Sequence, residues 1–178
     1  MGLLKGTKSI VAVMPETVKT GSLAFLFRWR EARVNAARES VTSDAPRLRE
    51  KLDALERLQR LMDMTVADEA ELRTYTTAIA LLRDSSHVLE GSRGHANFSD
   101  AFIWVWQVAD DFLPLLQVPR QGAVAVLAHF SVHLKELESL WWFRGWADHL
   151  ISRAWELLDE AHRPWIRWPI EAIGWVAP

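Results

Sequence analysis

The sequence predicts an all-α fold, an irregular helical bundle, on three observations. Apolar residues recur every three or four positions through most of the chain, no stretch keeps up the period-two alternation of a strand, and Pro and Gly punctuate the periodic segments. The length of 178 residues, with 49% hydrophobic and 25% charged side chains, suits one domain around a single core.

Residues 1–30 read as two short helical pieces, Leu3 to Met14 and Ser22 to Trp29, joined across Pro15 to Gly21. Around Arg28 to Asp44 the periodicity fades into Arg, Glu, Ala and Ser, which marks a variable linker over residues 30–45 or a solvated helix end. From Pro46 onward Leu48, Leu52, Leu55, Leu58 and Met62 form the stripe of an amphipathic helix. Thr65-Val66-Ala67-Asp68 has capping-box spacing with Asp in place of Glu, so a second helix is expected to start there and to bury Leu72, Tyr75, Ile79 and Leu82. Gly91 to Asn97 reads as a loop.

A third element, Phe98 to Ala109, carries Phe102, Trp104 and Trp106. Asp110, Asp111 and Pro114 then predict a break and the start of a new short helix. Gly122 to Leu134 is apolar almost all round, the composition of a central helix packed on several sides, with Leu127 at its heart. Gly145 marks a turn or a close helix approach. The helix after it sets Trp146, Leu150 and Leu157 on one face, with Ile151, Trp155 and Leu158 beside them, before Pro164 and Pro169 cut the tail into short segments.

Composition excludes several classes. With no cysteine, disulfide scaffolds, thiolate metal sites and cysteine nucleophiles are all out. The net charge of -2 provides no phosphate-binding surface, so direct nucleic-acid binding is not expected. The apolar run from Ile10 to Met14 is too short for a signal-peptide core or a membrane span, and Gly6 stands where a myristoylation signal wants Ser or Thr. Ten tryptophans stand against one tyrosine, and seven of them fall in the last 38 residues, so the densest apolar packing is expected there.

Candidate chemistry is sparse. His129 and His133, four apart on the central helix, share a face and could meet at a metal with Glu136 one turn on, yet Phe130 stands where a zincin has its Glu. In so apolar a helix, histidines hydrogen-bonded within the core are the expected reading. Asp110-Asp111 before an aromatic residue is similar to the acidic start of a terpene-synthase magnesium site, but Pro114 occupies the place of the next carboxylate, and capping of a helix start explains the pair. There is no Gly-rich phosphate loop, nucleophile elbow or nucleophile-His-acid set, and no catalytic residue is assigned; the chain is not read as an enzyme. The aromatic cluster has three readings: core, a pocket for a large apolar ligand, or a partner interface.

Three stretches carry a resemblance: Ala125-Val126-Leu127-Ala128-His129-Phe130, Leu140-Trp141-Trp142-Phe143-Arg144-Gly145-Trp146, and Trp165-Ile166-Arg167-Trp168-Pro169-Ile170-Glu171-Ala172-Ile173-Gly174-Trp175. Leu3-Leu4-Lys5-Gly6-Thr7-Lys8-Ser9-Ile10 and Phe102-Ile103-Trp104 ahead of Phe112-Leu113-Pro114-Leu115-Leu116 add to them. In these the chain resembles the C-terminal regulatory region of fungal binuclear zinc-cluster transcription factors, especially the sterol uptake control group. Residues 30–65 match only in being variable and helical.

The resemblance implies an all-helical sensor and effector domain of a nuclear regulator, corresponding to the C-terminal half of the family's regulatory domain and beginning partway through it. In the sterol group that domain holds ergosterol in an apolar pocket and governs nuclear entry, so the implied location is the nucleus, with retention in the cytoplasm as the alternative state. The implied partners are a sterol or another apolar small molecule, transcriptional co-regulators, or a second copy of the chain. The family's DNA-binding element needs six cysteines around two zinc ions; this chain has none, so no zinc and no other cofactor is expected. A ligand site is placed by aromatic position where the Trp104 to Leu116 segment faces the central helix and Trp142 to Trp146. Its candidates are Trp104, Trp106, Phe112, Leu116, Phe130, Trp142 and Trp146, with His129 or His133 as the single polar group that a sterol hydroxyl asks for. A protein-interaction module that has lost the ligand is the second expectation, and a helical metal-dependent enzyme the third.

Overall fold

Pro46 opens a helix because its fixed φ suits a first turn, and the N–H it lacks would have had no partner there. In the computed structural model, which describes residues 32, 34–35, 45–92 and 98–178, this helix is α1 (Pro46–Thr65). It buries Leu48, Leu55, Leu58 and Met62, with Leu52 half-buried. Its last residue, Thr65, donates its hydroxyl to the Leu61 carbonyl at 2.7 Å, and Val66 leaves in an extended conformation. Helix α2 (Glu69–Gly91) therefore starts later than the capping-box spacing at Thr65 predicts. Asp68 is the cap: one of its carboxylate oxygens accepts from the N–H groups of Ala70 and Glu71 at 2.8 and 3.2 Å. A carboxylate gains there from the helix dipole as well as from the hydrogen bonds, whereas the Thr65 hydroxyl is already engaged. The stripe of Tyr75, Ile79 and Leu82 is buried as the periodicity predicts, with Leu72 half-buried.

The expected break in the third element is absent. Helix α3 (Phe98–Gln117) runs through Asp110 and Asp111, with Pro114 inside it. Both aspartates are exposed in the second half of the helix, so neither stands at a helix start. Pro114 is exposed and stands one turn from the end of the helix, so the bond its missing N–H forfeits is among the last of the ladder, and Trp104 and Phe112 tie the helix to the core. The Arg120 N–H closes the end by donating to the Leu115 carbonyl at 2.9 Å.

Helix α4 (Gln121–Glu136) is central, as its composition predicts, and touches each of the other helices described from Pro46 onward. From Gly122 to Leu134 every residue is buried except Leu127, so Leu127 is the one half-exposed position of a segment in which it was expected to be the heart. Small residues make the crowding possible: Gly122, Ala123, Ala125 and Ala128 let neighbouring backbones approach. The Gln121 side chain clamps the start of α4 to the end of the next helix, donating to the Leu157 carbonyl at 3.2 Å and accepting from the Asp159 N–H at 2.9 Å.

A 3₁₀ turn, Trp141–Phe143, leads to Gly145, whose φ of +80° makes it a turn glycine; a Cβ added there would meet nothing within 4 Å, so no close helix approach requires it. Helix α5 (Trp146–Leu157) then packs on α4 through Ala147, Ile151 and Ala154, with Leu158 just beyond it. This face is rotated from the one predicted: Trp146 is exposed, and Leu150, Trp155 and Leu157 are half-buried. Alanine gives the closest contact with a central helix that is itself rich in small residues, which pushes the bulky side chains to the flanks.

The tail forms a 3₁₀ turn (Arg163–Ile166) and helix α6 (Arg167–Ile173), with Pro169 in the first turn of α6, where it is tolerated and does not cut the segment. Gly174, at φ +73°, ends α6 and lets the Trp175 N–H reach the Ile170 carbonyl at 3.1 Å. The architecture is an all-α bundle; among the described residues there is no strand, and no helix is long and apolar enough to cross a membrane. The predicted helices within residues 1–30 lie outside the described residues. Of the predicted linker, Ala32, Val34 and Asn35 are helical, Val34 packs with Val88, and the remainder of 30–44 lies outside the described residues.

Candidate functional site

Trp104, at 1% exposure, is the bulkiest of the fully buried side chains. Its indole N–H donates to the Ala78 carbonyl of α2 at 2.8 Å; its ring stacks on Phe130 of α4 at 4.7 Å and meets the edge of Phe112 at 5.7 Å. Three of the residues chosen as pocket lining thus fill one another's space, each by aromatic contact from a different turn or helix. Leu116 and Trp106 are half-buried on α3.

His129 and His133 share the central helix but turn to different neighbours. His129 stacks on Trp168 of α6 at 5.8 Å, and its Nδ1 lies 2.9 Å from the Ala125 carbonyl. A carbonyl only accepts, so Nδ1 carries the proton. His133 meets α2 instead, with Nε2 2.9 Å from the Ser86 hydroxyl. Ser86 gives its single proton to the Leu82 carbonyl at 2.9 Å and so accepts from Nε2, which leaves His133 Nδ1 as a buried lone pair without a partner. Burial holds His129 down at about 4, and burial together with the Lys51 charge lowers His133 well below the ordinary imidazole range. Both rings are neutral at physiological pH.

Glu136, the third member of the metal reading, is engaged elsewhere: Lys51 of α1, 5% exposed, holds its carboxylate at 2.5 Å. Among the described residues no group of three or more His, Asp or Glu is arranged to hold a metal ion. Lys51 and Ser86 were not singled out in the sequence, although both sit on buried stripes. Lys51 follows Leu48 by three and precedes Leu55 by four, and Ser86 follows Leu82 by four. A polar residue in phase with an apolar stripe is the signal that would have found them.

Trp142 and Trp146 belong to a different place. They are 48% and 51% exposed, and with Trp141 at 73% they form a surface corner where α4 hands over to α5. Trp141 meets Trp142 edge-on at 5.5 Å, Trp142 tilts against Phe143 at 6.5 Å, and Phe143 meets Trp146 at 5.3 Å. Phe143 is buried, so it anchors a row of rings whose other members face solvent. The sequence-chosen set therefore divides into a core group of Trp104, Phe112, Phe130, His129 and His133, the half-buried Trp106 and Leu116, and a surface pair of Trp142 and Trp146.

Two open clefts are lined by none of these side chains. One, of about 450 Å³, sits between the α1–α2 and α3–α4 turns and is lined by Asp68, Glu71, Arg120, His162 and Trp165 among others. The second, of about 350 Å³, is lined by Glu50, Asp53, Arg57, Trp168, Glu171 and Ala172. Both mix charges of the two signs with one indole, and neither presents the largely apolar wall that a sterol requires. No family model, curated protein or solved structure matches the chain.

Proposed function

We propose that this chain is a regulatory domain of the kind found in fungal zinc-cluster transcription factors, acting in the nucleus through contact with other proteins. The sequence resemblance set out above is the ground for the family, and the all-α bundle is compatible with it. The mode of action rests on one observation: Trp141, Trp142 and Trp146 are 73%, 48% and 51% exposed side by side. Tryptophan is among the residues most enriched at interface hot spots, and an exposed row of three is unusual on a surface that only has to meet water. Protein contact is favoured over sterol sensing because Trp104, Phe112 and Phe130 engage one another, and neither open cleft has the largely apolar lining that a sterol requires.

The test tethers the chain to a heterologous DNA-binding domain upstream of a reporter in a fungal host. Reporter output is expected to change with the chain attached and to return to baseline when Trp141 and Trp142 are both changed to Ala at equal protein level. An unaltered reporter, or a change that survives the double substitution, overturns the reading. In parallel, ergosterol is added to the purified protein during thermal melting. A saturable rise in Tm would replace protein contact with ligand sensing as the mode of action.

A further inference from the structure

Exposed indoles attract a partner only if the surface around them supplies area, charge and rigidity of the right kind, and the corner at the start of α5 has all three. Its geometry is fixed by backbone: Gly145 takes φ +80°, its N–H donates to Glu138 Oε1 at 3.2 Å, and its carbonyl accepts from the His149 N–H at 3.0 Å. Phe143 is buried beneath the row, so the indoles stand on a held element. Rigid side chains with few rotatable bonds lose little entropy when a partner covers them.

Charge is distributed unevenly. The two nearby carboxylates are turned toward one ammonium: Lys135 Nζ lies 3.0 Å from Glu138 Oε2 and 3.6 Å from Asp148 Oδ1. Arg144, between Phe143 and Gly145, is exposed, and among the described residues no carboxylate pairs with it. Arg144 is two residues from both Trp142 and Trp146 in the chain, and an exposed guanidinium next to this row is suited to an acidic partner.

Area decides the size of that partner. At 150–250 Å² for a whole Trp side chain, the exposed fractions of Trp141, Trp142 and Trp146 amount to about 250–450 Å². A stable dimer needs about 800 Å² from each partner, so two copies meeting at this corner fall well short. A short segment that places a few apolar anchors on the rings requires no more than this.

We propose that the corner of Trp141, Trp142 and Trp146 docks a short amphipathic helix of another protein, with its apolar side on the indoles and an acidic residue on Arg144. The proposal rests on the protein-contact reading above and names the chemistry of the partner. The probe is a synthetic helical peptide with Leu at i, i+3, i+4 and i+7 and Glu at the flanking positions, compared with the same peptide carrying Lys for Glu. Binding to the full chain is followed by fluorescence anisotropy of a label on the peptide.

The Glu peptide is expected to bind at least about tenfold tighter than the Lys peptide, because like charges juxtaposed at an interface are strongly unfavourable. Trp142→Ala should weaken it by about tenfold or more, and Arg144→Glu should invert the preference in favour of the Lys peptide. Circular dichroism melts of both variants check that each remains folded. Equal binding of the two peptides, no binding of either, or an unchanged preference in Arg144→Glu overturns the proposal. So does adsorption to phosphatidylserine vesicles in place of peptide binding, or a dimer in sedimentation velocity that Trp142→Ala dissociates. If the peptides fail while the tethered reporter still responds, the regulatory reading stands and this partner falls. If the reporter fails as well, both fall.

Discussion

The ring of Tyr75 occupies the space that any side chain on Gly122 would need: a Cβ there would lie 2.5 Å from Tyr75 Cε2 and 2.8 Å from Cζ. The start of α4 is thereby pressed onto the second turn of α2, where Tyr75 is fully buried. Its hydroxyl is held by Glu71, and burial together with that carboxylate pushes the phenol well above its usual range.

Gly122→Ala is accordingly expected to destabilise the domain by about 1–3 kcal/mol, the range for overpacking, in spite of the better helix propensity of Ala. Urea denaturation measures it. In a Tyr75→Leu background the same change should cost less, since the obstructing ring atoms are gone; additive losses in the double variant would show that the two residues do not compete for space.

The buried histidines make stability depend on pH in a direction that can be worked out. Both are lowered in the folded chain, His129 to about 4, whereas in the unfolded chain each titrates near 6.5. Below 6.5 the unfolded state binds more protons than the folded one. The stabilisation is therefore complete above 6.5 and is lost as pH falls from there toward 4, at up to about 1.4 kcal/mol per pH unit for each histidine. Melting at pH 7.5, 6 and 5 should show a falling Tm. His129→Leu and His133→Leu should each flatten the slope, and a pH-independent wild-type Tm across this range would contradict the burial of both rings.

Lys51 and Glu136 are bonded to each other but differ in exposure, 6% against 30% for the side chains. Removing one partner is thus not equivalent to removing the other. Glu136→Gln leaves a buried ammonium without its counter-charge and should cost about 1–3 kcal/mol. Lys51→Met leaves a carboxylate that water can reach and fills the site with an apolar chain, so the loss should stay within about 1 kcal/mol. Equal losses in the two variants, measured by denaturant melts, would mean that the pair is not buried on the lysine side.

Adjacent positions of α4 offer a further contrast. Val126 is fully buried while Leu127 is half-exposed, so Val126→Asp should abolish cooperative unfolding and Leu127→Asp should leave a folded protein of lowered Tm. Loss of folding in Leu127→Asp alone would place α4 in a different rotation.

Legibility differed along the chain for physical reasons. The stripes of α1 and α2 and the all-round apolarity of α4 were readable because helical period and burial report directly on one another. The end of α1 and the unbroken course of α3 were not, because Thr65, Asp68 and Pro114 each had a local preference that competing contacts redirected. Asp68 outcompeted Thr65 as the cap, and Trp104 and Phe112 held α3 together past its proline. The face of α5 was misjudged because hydrophobicity ranks Trp146 above Ala147, whereas close packing against a Gly- and Ala-rich neighbour selects the smaller residue.

The candidate site divides along the same line. Sequence alone determined the residue types available: no thiol, an abundance of indole, two histidines four apart and a near-neutral charge. Only the tertiary structure decided which of these face each other and which face water. A helix brings i and i+4 to one side but does not say which neighbour each will meet, so His129 turned to Trp168 and His133 to Ser86. Likewise Trp104 and Trp142 are the same side chain to any reading of composition. One lies at the crossing of α2, α3 and α4, and the other stands on a glycine turn beyond the reach of the core, because burial is a property of where helices cross and not of the residue that is carried there.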